Sequence, residues 1–452
     1  MRRTKRMTLM FRNKSKGSPI GENKIYGVSW DKASNPTLTR TDDSVGFTAV
    51  AGVGAYTVTN DFDSAEVYKD ISTVTDDYGN VFRRIPKCYI KKTNSPWVRA
   101  VSRYQHSGYY LPKCFWDFVN GVELDYIDVG AYNASLSDDG TKLESKSGKS
   151  PLVNKNIVEF RDYAEANGTA YYQLDVHVYD LLQTLFYIEF ATLDSQLIAR
   201  GFVDGRYSSS DLATVTESGT NRVIVANATA AYYDVGQTIS VGTSQGGNQI
   251  FYGRTITSID VYDGSNMAIS FDGAVANIVA GNYLYNTGQI SGWSSVLGAT
   301  SGRPTGTDGK QSCCYRGIEN PWGSLWQFVD GVNINDNQAW ICNDFANYAS
   351  NLFASPYEQL GYVNENTNGY AVDMGHDADH PGVSLPISAT GGDYNKFYCD
   401  YYYRAAGQRI AFVGGRWSYG SDTGLSGWFL HYSSSIANLY IGGRLIKKGA
   451  TA

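Results

Sequence analysis

The chain has 452 residues, 38 Lys and Arg against 44 Asp and Glu, a formal net charge of −6 and a pI near 5.5. This balance excludes an overall electrostatic footprint for nucleic acid, and the length suits two or three domains better than one. Charged residues are only 18% while Tyr numbers 35 and Gly 48, so contact area comes from aromatics and turns, as in recognition surfaces or Tyr-rich β proteins.

Residues 1–24 form a basic arm, with Arg2, Arg3, Lys5 and Arg6 followed by Arg12, Lys14 and Lys16. Such a charge run reads as a docking tail. The apolar stretch from Met7 to Phe11 is too short for a signal peptide. No run of about eighteen apolar residues exists, so no membrane insertion is expected. Residues 25–80 read as a β-rich attachment region, opening on the alternating segment Ile25-Tyr-Gly-Val-Ser-Trp-Asp31. From residue 81 further strands are expected at Phe82–Ile90 and Trp97–Val101. A helix starts near Asn156, with Val158, Phe160, Tyr163 and Ala164 at helical spacing and Asn167-Gly168 as its left-handed stop. A second helix follows Asp175; Val178, Leu181, Leu182, Leu185, Phe186 and Ile188 make it apolar over a broad face, the pattern of a buried core helix.

The texture changes over residues 207–286. Short alternating runs (Val223-Ile-Val, Thr238-Ile-Ser-Val, Gln249-Ile-Phe-Tyr, Thr255-Ile-Thr-Ser-Ile and Met267-Ala-Ile-Ser-Phe) are separated by Gly, Asn and Asp. Regular short strands with turn signals predict a small all-β barrel or sandwich inserted in a surface loop. Residues 81–206 and 287–452 are then two parts of one body. Aromatics crowd the second part. Tyr394, Phe397, Tyr398 and Tyr401 to Tyr403 precede Gly414-Gly-Arg-Trp-Ser-Tyr-Gly-Ser421, and Trp428, His431 and Tyr432 follow it.

Chemistry-bearing patterns are sparse. The six cysteines (Cys88, Cys114, Cys313, Cys314, Cys342, Cys399) have irregular spacing and no Cys-x-x-Cys pair, so reduced, partly buried thiols are expected and no structural zinc site. His376-Asp-Ala-Asp-His380 has histidines at i, i+4, but Gly375 and Pro381-Gly382 flank it, which favours a polar loop over a zinc helix. Asp330, Asp336, Asn343 and Asp344 are oxygen donors of the kind calcium takes, without an EF-hand spacing. No Gly-x-Ser-x-Gly element occurs. A pair of glycosidase carboxylates leaves no mark in sequence. The expectation is a non-enzyme with no catalytic residues, no metal and no cofactor.

Five segments together resemble a known family. Pro151-Leu-Val-Asn-Lys-Asn-Ile-Val-Glu-Phe, Tyr172-Gln-Leu-Asp-Val-His-Val-Tyr-Asp-Leu-Leu, Asn320-Pro-Trp-Gly-Ser-Leu-Trp-Gln-Phe-Val329, Gly414-Gly-Arg-Trp-Ser418 and Ile441-Gly-Gly-Arg-Leu445 look like elements of the C-type lectin fold of the formylglycine-generating-enzyme subtype, in family order. The opening near Ile25 resembles tail-associated proteins of phages and prophages. The resemblance implies an α+β fold, a C-type lectin-like domain interrupted by the small all-β module. Oxidases of that subtype need two late cysteines, and Gly414 to Leu445 has none. The resemblance implies instead a virion protein of a tail, baseplate or fibre, assembled in the bacterial cytoplasm. Its partners would be a host cell-surface glycan or protein and, through the N-terminal region, other virion proteins, as a homotrimer.

In phage receptor-binding proteins of this fold the recognition residues lie in the terminal region. The expected receptor surface is therefore Tyr401, Tyr403, Tyr419, Ser421, Trp428, His431 and Tyr432 on one exposed face, with Trp326 and Trp417 in the core. Two alternatives stand beside it: a purely structural virion component, and a cell-wall glycan-degrading tail enzyme.

Overall fold

A computed structural model describes residues 23–54 and 58–450; the basic arm falls almost wholly outside the described residues. The architecture is mostly β, 35% strand against 11% helix, in several antiparallel sheets. No helix among the described residues is long and apolar enough to cross a membrane.

The two expected helices form where their caps dictate. Helix α1 (Ile157–Glu165) opens with a capping box: Asn156 Oδ1 accepts from the backbone N–H of Val158 and Glu159, and Glu159 accepts from that of Asn156. Helix α2 (Val176–Phe190) starts on Asp175, which accepts from Val178 N–H at 2.7 Å. All fifteen α2 residues are buried, so each charged group along it needs a partner. Glu189 is held by Arg316 at 2.8 and 2.9 Å, and Asp180 by Lys92. Arg40 donates to the carbonyls of Ile188 and Glu189 and closes the C-terminal end.

Helix α2 lies between two sheets. On one side is a four-stranded antiparallel sheet in the order Thr39–Asp42, Ile25–Trp30, Trp97–Ser102, Tyr89–Asn94. On the other is the largest sheet, in the order Glu358–Gln359, Gln338–Ile341, Trp326–Asn335, Gln408–Val413, Trp428–Leu430, Tyr401–Arg404, Gly369–Tyr370, with Ile441–Gly442 also pairing with Trp326–Gln327. Tyr179 meets Trp428 edge-on at 5.7 Å and Phe186 meets Trp322 at 5.5 Å. The boundary expected near residue 80 does not separate two cores. Ile25–Trp30 pairs in register with Trp97–Ser102, and Tyr26 and Val28 share one buried cluster with α2 and Val329. That pairing is non-local, so periodicity alone does not report it.

A third sheet places Leu445–Lys448 between Tyr171–Gln173 and Tyr126–Gly130. Just before it, Arg444 is fully buried and donates to Gln327 Oε1 and to the carbonyls of Gly130, Glu319 and Asn320. One guanidinium thus ties the Gly-Gly-Arg-Leu segment to the Asn-Pro-Trp-Gly segment.

Residues 217–286 carry a five-stranded antiparallel sheet in the order Arg222–Ala226, Asn266–Phe271, Gly247–Val261, Thr238–Ser244, Tyr283–Asn286, plus a two-stranded ladder and one short helical turn. Their buried apolar cluster lies wholly between Ala213 and Leu284. At its base Asn286 N–H donates to Arg206 C=O at 2.8 Å and Arg206 N–H to Asn286 Oδ1 at 2.6 Å, so the two chain ends lie side by side.

Candidate functional site

The large sheet has two faces, and strand alternation decides what each one carries. In the parallel pair Tyr401–Arg404 and Trp428–Leu430, Tyr402 stands beside Trp428, and Tyr403 beside Phe429. Tyr402, Trp428, Leu430, Ala411 and Val413 belong to the core shared with α2; Phe429, Phe412, Phe328 and Trp326 form a separate cluster on the opposite face. Trp428 is therefore a core residue, 1% exposed. Its expected place on the receptor face is corrected: alternation turns it toward Tyr179.

The opposite face is an aromatic assembly centred on Trp326. Around it stand Tyr419 at 5.0 Å, His431 at 5.4 Å, Tyr440 at 5.4 Å and Tyr432 at 6.2 Å between ring centroids. His431 lies 4.0 Å from Tyr432 and 4.5 Å from Tyr403, and Tyr401 continues the row to Tyr370 at 5.3 Å. Tyr401, Tyr419, His431 and Tyr432 are half-buried, and Tyr403 is 39% exposed. Ser421 is set apart from the His431–Tyr432 end, 3.2 Å from the hydroxyl of Tyr370, which also donates to Asp422 at 2.5 Å.

Arg416, legible in sequence only as part of the Gly414-Gly-Arg-Trp element, belongs to this assembly. Its guanidinium lies over Tyr440 at 4.3 Å and Tyr419 at 4.5 Å, a cation–π arrangement. Gly414 and Gly415 precede it at φ +84° and +74°, and a Cβ on Gly415 would meet Thr423 at 2.4 Å. The left-handed turn that places Arg416 therefore requires glycine. Trp417, next in sequence, points the other way into a buried cluster with Phe202, Leu325 and Leu439.

Trp326 Nε1 and Arg416 Nε and Nη1 are buried within this assembly and make no hydrogen bond to a protein atom. Burial, reinforced by the Arg409 charge, pushes the His431 imidazole down to about 4, so it is neutral at pH 7. Burial likewise pushes the Tyr432 phenol up to about 12. The assembly thus presents neutral aromatic faces beside the Arg416 charge, suited to stacking.

Other expected chemistry is placed elsewhere. All six cysteines are buried free thiols, and burial pushes Cys314 up to about 12 and raises Cys313; such thiols are poor nucleophiles. His376 to His380 form no helix, and His380 sits 3.3 Å from Glu358. Asp330 is taken by Arg161 at 2.8 and 2.9 Å, and Asp344 caps its own turn. Among the described residues no cluster of three or more His, Cys, Asp or Glu side chains is placed to hold a metal ion. A groove of 250 Å³ brings Asp194 and Asp400 together with Arg200, Tyr394 and Ser421. Burial raises both carboxyls, and Asp400 is 1% exposed and accepts from Ser426 N–H.

Compared with protein-family models and with curated proteins, the chain matches none. The functional reading therefore rests on this geometry and on the order of the sequence elements.

Proposed function

We propose that this chain is a phage virion protein of a tail, baseplate or fibre that attaches to a host cell-surface glycan or protein. Attachment uses the outer face of the large sheet, on a body of C-type lectin-like fold of the formylglycine-generating-enzyme subtype. The observation that carries this reading is the Trp326-centred assembly, where Tyr403 is exposed, Tyr401, Tyr419, His431 and Tyr432 are half-exposed, and the Arg416 guanidinium stacks on Tyr419 and Tyr440. Flat aromatic faces with a polar edge are what a sugar ring or a polar protein patch binds. Arg444, which joins two of the family-like elements, supports the fold reading. The N-terminal region would contact other virion proteins, and a homotrimer would gain avidity from repeated weak contacts. The reading has no catalytic step.

Binding of the purified protein to host cells and to a glycan array tests it. The expected result is binding that a folded Tyr403→Ala, His431→Ala, Tyr432→Ala triple variant loses. Equal binding by that variant overturns the assignment of the face. A second reading, a virion component that only contacts other subunits, is favoured by the half-burial of four of these rings; it predicts no host binding at all. The groove with Asp194 and Asp400 motivates one control, since release of reducing sugar from host cell wall would establish a glycan-degrading enzyme.

A further inference from the structure

On the far side of α2 from the aromatic face lies an ion pair with unusual surroundings. Lys92, on strand Tyr89–Asn94, and Asp180, in the second turn of α2, meet with side chains 2% and 8% exposed. The Lys92 ammonium donates to Asp180 Oδ1, and neither side chain makes another hydrogen bond among the described residues. Burying such a pair is costly unless further hydrogen bonds satisfy it, and here none do. Arg99 stands beside them, 3% exposed, yet it is held independently. It donates to the carbonyls of Thr93 and Val98 and to Asn94 Oδ1, and it stacks on Trp97 at 4.2 Å. Asp180 is therefore not needed to hold Arg99. The pair lines a small cleft of 10 Å³ together with Gln183, Thr184, Tyr187, Ser384 and Tyr398, about the room one water molecule occupies.

We propose that Lys92 and Asp180 become joined by an intramolecular amide bond between Nζ and Cγ. The step is a dehydration: –NH3+ and –COO− give –NH–C(=O)– and water. One N–C bond forms and one C–O bond breaks; two of the three ammonium protons leave with one carboxylate oxygen, and the third stays on the amide nitrogen. No oxidant, reductant or co-reactant is required. Three features favour it. The nucleophile and electrophile are held in contact by the fold, which removes the entropic barrier of a bimolecular step. Burial lowers the Lys92 amine to about 8, so an appreciable fraction is the neutral nucleophile near neutral pH. Arg99, which lines the same space, is a second positive charge that disfavours the ammonium form of Lys92. The product exchanges two buried charges for one neutral amide and clamps the N-terminal sheet to α2 across 88 residues of sequence. Such a clamp restricts the unfolded chain as a disulfide does, in a protein whose thiols are all free. It is independent of the receptor reading.

The test is the intact mass of the full-length protein under denaturing conditions. The expected mass is lower than that of the sequence by one water. A digest should yield a branched peptide joining the Lys92 segment to the Asp180 segment, and Lys92→Arg or Asp180→Ala should restore the full mass. A wild-type mass equal to that of the sequence overturns the proposal, as does a water loss that maps to any other pair. Wild-type mass and digest decide the matter even where a variant fails to fold.

Discussion

The two faces of the large sheet are built from the same strands and serve opposite ends. Toward α2 stand Tyr402, Trp428 and Leu430, closed in a dry core; away from it stand Tyr401, Tyr403, Phe429 and Phe412, with His431 and Tyr432 just beyond, around Trp326. Residues adjacent in sequence fall on different faces, so a run such as Trp428 to Tyr432 is not a surface. The lesson is that a recognition face in a β protein is assembled from alternate residues of several strands, and a count of aromatics per segment overstates it.

The largest effects should come from emptying the buried centre of either face. Trp428→Ala on the α2 side and Trp326→Ala on the aromatic side should each cost about 3–5 kcal/mol of stability as cavity mutants, measured by chemical denaturation. A Trp428→Ala protein of wild-type stability that has lost host binding would break the two-face division. Next is acid sensitivity on the aromatic side. The folded-state value of His431 is near 4, below the ordinary histidine range, so the unfolded chain binds the extra proton first. Stability from this residue is complete above about pH 6.5 and is lost as pH falls toward 4, by at most about 3 kcal/mol. The difference between the pH–stability curves of wild type and His431→Gln isolates that contribution; parallel curves would show that the ring is solvated.

On the exposed edge, Tyr403→Ala should weaken receptor binding by about 2 kcal/mol as a hot spot and change stability by less than about 0.5 kcal/mol. Titration calorimetry or surface binding with the receptor found by array reads the first, thermal melting the second. The smallest effect concerns the module. Replacing residues 207–285 by a short Gly-Ser link between Arg206 and Asn286, which already touch, should leave the body folded. Receptor affinity should change by less than about 0.5 kcal/mol, as for independent sites. Loss of folding on deletion would show that the module's core and the body's are coupled.

How much of this was legible in the sequence follows from range of interaction. Helices α1 and α2 were, because Asn156, Glu159 and Asp175 are local caps and the apolar spacing is local. The β texture after residue 207 was visible for the same reason. The pairing of Ile25–Trp30 with Trp97–Ser102 was not, since register is a property of two distant segments. In the candidate site, Tyr403, His431 and Tyr432 stand close together, while Trp428 is turned into the core by strand alternation and Ser421 lies at a different edge. Tyr370, Arg416 and Tyr440 joined the assembly without being expected there. Arg416 had a signal in the glycine pair before it, but a turn-forming motif does not say which way its arginine points.

The strand Leu445–Lys448 has a consequence for how the protein is made. It fills the slot between Tyr171–Gln173 and Tyr126–Gly130, and Arg444 beside it ties down three carbonyls of two other segments. Until the ribosome has delivered these residues, the sheet that receives them has an open gap, closed only by partners separated by roughly 300 residues of chain, the kind of contact that folds slowly. The nascent body therefore waits with an unpaired sheet edge, a site for chaperone capture or for pairing with a neighbouring chain, whereas the module, whose strands are close in sequence, can fold while still attached to the ribosome.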